Sequence, residues 1–217
     1  MTRRSRFAAL VLLLVAAGAL AGCGGEKYPS DLADDAYSLR SMLLTADDIP
    51  FAMQEVVVDE FDNEEWAAGF ETEDPVAKRR QFEAQGRIRN ALAVFAWESP
   101  IEHLGSPRII TTQSTLYEDV DAARASLQGI CGLPFDDATI ADLREFPVKG
   151  VGDESVGLFL VNRAEIGAII DTIVCFRTGR VVHAVTQNGL EGTEDVALAV
   201  RLARRMLERV DRAFAEL

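Results

Sequence analysis

Two histidines, three cysteines and a serine set between glycines are the residues of this chain best suited to chemistry. Cys131, Cys175, His103 and His183 form a conceivable zinc set, because thiolate and imidazole are the usual ligands of that metal. No two of the four stand at the short spacings that zinc motifs use, and no Cys-x-x-Cys pair is present to do redox work. No metal and no cofactor are therefore expected. Ser155 lies in Gly152-Asp153-Glu154-Ser155-Val156-Gly157. A nucleophile elbow needs Gly-x-Ser-x-Gly, and here the first glycine comes one residue too early. A Ser–His–Asp hydrolase acting on envelope material stays an alternative, but no catalytic residue is assigned.

A third candidate is the acidic stretch 59–74, with Asp59, Glu60, Asp62, Glu64, Glu65, Glu71, Glu73 and Asp74. It lacks the alternating Asp-x-Asp-x-Asp-Gly loop of a calcium site. It reads instead as a solvated acidic loop. Phe61, Trp66 and Phe70 within it either plug onto the core or face a partner, and the plug is the expected role.

The third cysteine has a different context. Arg3, Arg4 and Arg6 precede an apolar run over 7–20, which ends in Leu20, Ala21, Gly22 and Cys23. The run is shorter than the ~20 apolar residues a membrane span needs, and it has the order of an export leader. Leu-Ala-Gly-Cys at its end resembles the lipobox of bacterial lipoproteins. The resemblance implies cleavage between Gly22 and Cys23, and diacylation of the Cys23 sulfur. The remainder would then sit on the outer face of the bacterial cytoplasmic membrane. Two acyl chains make a stable anchor where one does not. Export leaves Cys131 and Cys175 as the thiols of the folded part, and outside the membrane such a pair is expected to form a disulfide.

The chain carries a formal charge of −13. Loss of Arg3, Arg4 and Arg6 with the leader leaves 19 basic against 35 acidic residues, a net −16. Such a chain is repelled by polyanions, so nucleic acid is excluded as a partner. Residues 1–22 read as a lipoprotein signal peptide and 23–38 as a flexible acidic tether. Residues 39–217 are long enough for one domain.

The elements that must position these residues follow from period and punctuation. Thr45 and Asp48 bracket a short helical turn as a capping box would. A short strand is expected over 54–58. Asp74-Pro75 starts a helix that stops at Gly86. Strands follow over 88–97 and 109–117, then a helix capped by Asp119. A strand over 155–161 precedes a hairpin of 169–177 with 180–187 around Thr178-Gly179. A two-residue loop at Thr178-Gly179 would set Phe176 opposite Val181, Val174 opposite His183 and Cys175 opposite Val182. Val196, Val200, Ala203, Leu207, Val210 and Phe214 recur at helical spacing and predict a long final helix. Hairpins separated by helices imply an α+β domain, an antiparallel sheet flanked by helices.

Short phrases add a family likeness. Leu43-Leu44-Thr45-Ala46-Asp47-Asp48-Ile49, Gly152-Asp153-Glu154-Ser155 before a strand, and Arg177-Thr178-Gly179-Arg180 before the last helix resemble the external sensor domains of mycobacterial serine/threonine kinases. More loosely, the set is similar to the PsbP-like α/β/α sandwich. Those sensors usually carry two disulfides and this chain can make one, so the likeness implies fold and location but transfers no ligand-binding residue. Together these readings describe a lipid-anchored, sensor-like module that binds a small molecule or protein without catalysis. A carrier of lipid or another apolar ligand is the second alternative.

Overall fold

In the computed structural model, residues 27–69, 74–132, 140–164 and 167–217 are described. The lipobox, Cys23, Phe70, Glu71 and Glu73 lie outside them. Seven antiparallel strands form one sheet: β1 (Gln54–Asp62), β2 (Arg87–Ala96), β3 (Ile109–Tyr117), β4 (Ile140–Phe146), β5 (Glu154–Ala164), β6 (Gly167–Thr178) and β7 (Val181–Leu190). Their spatial order is β1-β2-β3-β7-β6-β5-β4. Among the described residues four α-helices accompany them: α1 (Asn63–Ala68), α2 (Pro75–Ala84), α3 (Val120–Gln128) and α4 (Val196–Ala215). The α+β class and the long C-terminal helix are as the sequence implies.

One face of the sheet packs α4. Ala91, Ala93, Phe95, Ile110, Val174, Phe176, Val181 and Val185 meet Leu198, Ala199, Leu202, Ala203, Met206, Val210 and Ala213 there. The buried stripe is rotated from the expected one. Val200, Leu207 and Phe214 are only partly buried, because the sheet lies under the 198/202/206 row rather than the 200/207/214 row. The opposite face packs Tyr117, Leu158, Leu160, Ile173, Cys175, Val182 and Ala184 against Ala123, Leu127 and Cys131 from α3 and the turn after it.

Four further differences have physical causes. β1 runs to Asp62, and α1 follows, so the first part of the expected acidic loop is regular structure. Asp62 caps α1 by accepting from the Glu64 and Glu65 amides. The segment before β5 holds a strand, β4, whose mostly exposed side chains hide it from a search for apolar runs. The β6–β7 loop is Gly179-Arg180, because Thr178 pairs with Val181. Gly179 has φ +56 at the first loop position, which a II′ hairpin requires. Phe176 therefore faces His183 and Cys175 faces Ala184, a slip of two from the expected register. A two-residue slip keeps every side chain on its face.

The fourth concerns the start of the folded unit. Tyr28 and Tyr37 are buried, and the Tyr37 hydroxyl donates to the Pro29 carbonyl at 2.9 Å. Arg180 donates to the Leu32 carbonyl (2.6 Å) and pairs with Asp34 (2.7 Å). The segment 28–38, read as tether, is thus part of the domain.

Candidate functional site

Neither histidine is placed for catalysis. His183 is fully buried on the α4 face, stacked on Phe176 with centroids 4.7 Å apart. Ser114 Oγ lies 2.9 Å from its Nδ1 and Thr178 Oγ1 2.8 Å from its Nε2. The Ser114–His183 contact has the outline of a nucleophile and its base. Burial pushes the imidazole pKa down to about 3, so the ring stays neutral and is a weak base. No surface leads a substrate to it, and the third member is a threonine rather than an orienting carboxylate. This is a satisfied core histidine. His103 stacks on Trp97 at 3.7 Å, at the other end of the sheet from Thr178.

Ser155 is not paired with either. Its hydroxyl donates to the Val148 carbonyl at 3.4 Å. In register, Ser155 faces Phe176, which faces His183. The serine and histidine backbones are thus two strands, or about 10 Å, apart. Among the described residues no group of three His, Cys, Asp or Glu side chains is arranged to hold a metal. The described acids of 59–74 act singly. Asp59 pairs with Arg40, Glu60 with Arg89 and Glu64 with Arg79, while Asp74 caps α2. Phe61 and Trp66 lie 5.4 Å apart. Arg87 is sandwiched over Trp66 and Phe82, at 5.3 and 4.8 Å from their ring centroids. The Trp66 plug thus closes onto a buried cation, whose pKa desolvation lowers to about 10.

Cys131 and Cys175 are bonded, with Cα atoms 6.0 Å apart. The bridge ties the turn after α3 to β6. Ile130 and Cys131 take φ of +52 and +62 there, a conformation that costs a non-glycine residue about 1–3 kcal/mol. A β-branched residue is held so only where its surroundings leave no alternative, and the bridge supplies that constraint.

Beside the bridge, between α3 and the β4–β5 edge, lies a groove of about 570 Å³. That is the size of small-molecule sites. Leu127, Ile130, Leu143, Val156 and Leu158 give it an apolar floor, and Gln128, Glu145 and Glu154 a polar rim. Glu154 is fixed by Arg177 (2.8 Å) and Arg124 (3.0 Å). Their hydrogen bonds hold its carboxyl below the usual pKa against the effect of burial. The same face carries a polar row that sequence reasoning missed. Gln113 and Thr115 are buried and hydrogen-bonded at 3.0 Å. Thr115 reaches Asn90 at 3.0 Å, and Asn188 donates to buried Asp171 at 2.8 Å. Burial raises the Asp171 pKa. The available signal was an acid at an in-facing position of an otherwise apolar strand.

The phrases that carried the family likeness converge on structure. The Asp48 side chain is buried, capping its turn through Thr45 and taking Arg205 (2.7 Å) and Arg209 (3.0 Å) of α4. Asp153 accepts from the Gly179 amide at 2.9 Å and pairs with Arg177 at 3.2 Å. Gly152 has φ +65, and a Cβ there would come within 2.5 Å of the Arg177 carbonyl. Arg180 fills the other side of the hairpin, over the Tyr37 ring. Asp153 and Arg177 thus clamp the β6–β7 turn to the start of β5, while Asp48 ties its own turn to α4.

Comparison with known proteins gives the same architecture. The fold is similar to that of the extracellular domain of PknH from Mycobacterium tuberculosis, at a TM-score of 0.50 and 12% identity. The match covers 83% of this chain and 97% of that one. No family model matches the sequence, and no curated protein matches it. At this identity the likeness establishes the fold.

Proposed function

We propose that this protein is a non-catalytic, sensor-like binding module, lipid-anchored at Cys23 on the outer face of the cytoplasmic membrane. It takes a ligand with an apolar part in the groove between α3 and the β4–β5 edge. The groove is the observation that carries this reading: a concave, mixed lining of ligand size, rigidified by the adjacent disulfide. The extracellular-domain fold neighbour supports the location. The half-open, polar-rimmed shape favours a ligand with a polar end over a wholly apolar cargo, which enclosure would suit better. A hydrolase gains no support, since Ser155 and His183 stand apart and the Ser114–His183 pair is sealed in the core.

A neutral environment-sensitive probe, N-phenyl-1-naphthylamine, tests the groove. The protein should enhance its emission. Gln128→Trp, which fills the groove from an exposed position, and Leu143→Glu, which charges its floor, should each weaken binding at least tenfold. Unchanged binding in both variants overturns the assignment. Anchoring is tested separately by labelled fatty acid in a bacterial host, where Cys23→Ser should abolish incorporation. Equal labelling of both chains refutes it.

A further inference from the structure

The first buried residue among those described lies close to the lipid site in sequence, and that proximity fixes the domain's orientation. Tyr28 is buried, and its hydroxyl donates to Asp211 of α4 at 2.7 Å. Its ring packs on Phe214 at 5.4 Å. A Cβ on Gly179 would sit 3.0 Å from the Tyr28 carbonyl, so the chain enters the fold directly against the β6–β7 turn. Five residue steps separate Cys23 from Tyr28. Whatever their conformation, they span at most about 18 Å.

The sheet is longer than that reach. β6 has 12 residues, about 40 Å of strand. The Tyr28 end holds the Gly179 turn, the start of β5 at Glu154, the start of α3 and the last turn of α4. The far end holds the 97–108 connection, where Ile101 and Leu104 are the exposed apolar residues, at 81% and 52%.

We infer that the domain stands on the bilayer with its Gly179 turn, Asp153–Glu154 and α4 C-terminus facing the membrane, and presents Ile101, Leu104 and the start of β3 away from it. This inference rests on the anchoring at Cys23 proposed above. Electrostatics draws no other face down in place of the tethered one, because a chain of net −16 is repelled by anionic headgroups. The orientation brings the Glu154–Val156 end of the groove close to the headgroup layer, so a ligand entering there comes from the membrane side.

The test uses the full lipidated chain, purified from a bacterial host and reconstituted in phosphatidylcholine vesicles with an acceptor dye on a fraction of the headgroups. A donor dye is placed on Arg212→Cys or on Leu104→Cys, both exposed; Cys131 and Cys175 are already bonded. Energy transfer should be several-fold greater from position 212 than from 104. Inserting a Gly/Ser spacer of about 20 residues after Glu26, which adds roughly 25 Å of mean reach, should narrow the difference. Labelled fatty acid on Cys23 with equal transfer from both positions overturns the orientation alone. Absence of label on Cys23 overturns the anchoring and the orientation with it.

Discussion

The two faces of the sheet use the same strands differently. Under α4 the buried side chains of β2, β3, β7 and β6 form one continuous core, and even the one histidine there has both nitrogens satisfied. Under α3 the cover is a helix of 9 residues and a disulfide-pinned turn. Polar side chains line the middle of that face, and a groove opens at its edge. The 20-residue α4 buries seven side chains against the sheet and α3 only two, Ala123 and Leu127. On the α3 side the covalent bridge adds to that smaller burial. The contrast teaches that stability is concentrated on one face and access on the other.

Removing the bridge should test that division most severely. The bonded cysteines close a loop of 44 residues, which the chain-entropy model values at about 4 kcal/mol. Cys131→Ser with Cys175→Ser should lower the urea midpoint accordingly. Hydrogen exchange should rise around α3 and the groove more than around α4. Uniform loosening of both faces would erase the contrast.

Next in size is Met206→Ala, at the centre of the α4 contact and 0% exposed. Urea unfolding should show a loss of about 3 kcal/mol from lost burial and a residual cavity. Leu207→Ala, at the margin of the same helix, should cost visibly less; equal losses would return the stripe to the row read from sequence.

The sealed α4 face should also respond to acid. His183 is neutral in the fold, with its pKa down at about 3 because of burial, and near 6.5 when unfolded. Between those values the unfolded chain binds a proton that the native chain refuses, so stability falls as pH drops below 6.5. By pH 5 the loss is about 2 kcal/mol. His183→Gln should remove that part of the slope when unfolding is followed from pH 8 to 5. An unchanged slope would mean the ring titrates in place.

The smallest effect belongs to the groove. Leu143 is 45% exposed, and Leu143→Ala should shift stability by no more than about 0.5 kcal/mol while weakening probe binding. Loss of folding instead would make the groove floor a core.

Legibility followed the range of the forces. Thr45, Asp74 and Asp119 act on amides two or three residues away, so their helix starts could be read directly from local chemistry. β3 and the β6–β7 hairpin announce themselves by β-branched residues, and β2 by its apolar run. β4 does not, because an edge strand with little burial has no apolar signature. The arginine partners of Asp48 are more than 150 positions away, so nothing near Asp48 shows that it anchors the last helix.

By itself the sequence determined the α+β class, the pairing of Cys131 with Cys175 and the long amphipathic helix. Each depends on composition, period or the lack of an alternative partner. Only the tertiary structure decided which stripe of that helix is buried, which residues form the hairpin turn, and that Tyr28–Ser38 belongs to the domain. It alone sealed His183 in the core and opened the groove beside the bridge. These depend on which surfaces meet, and burial is a property of the assembled layers that no stretch of chain carries alone.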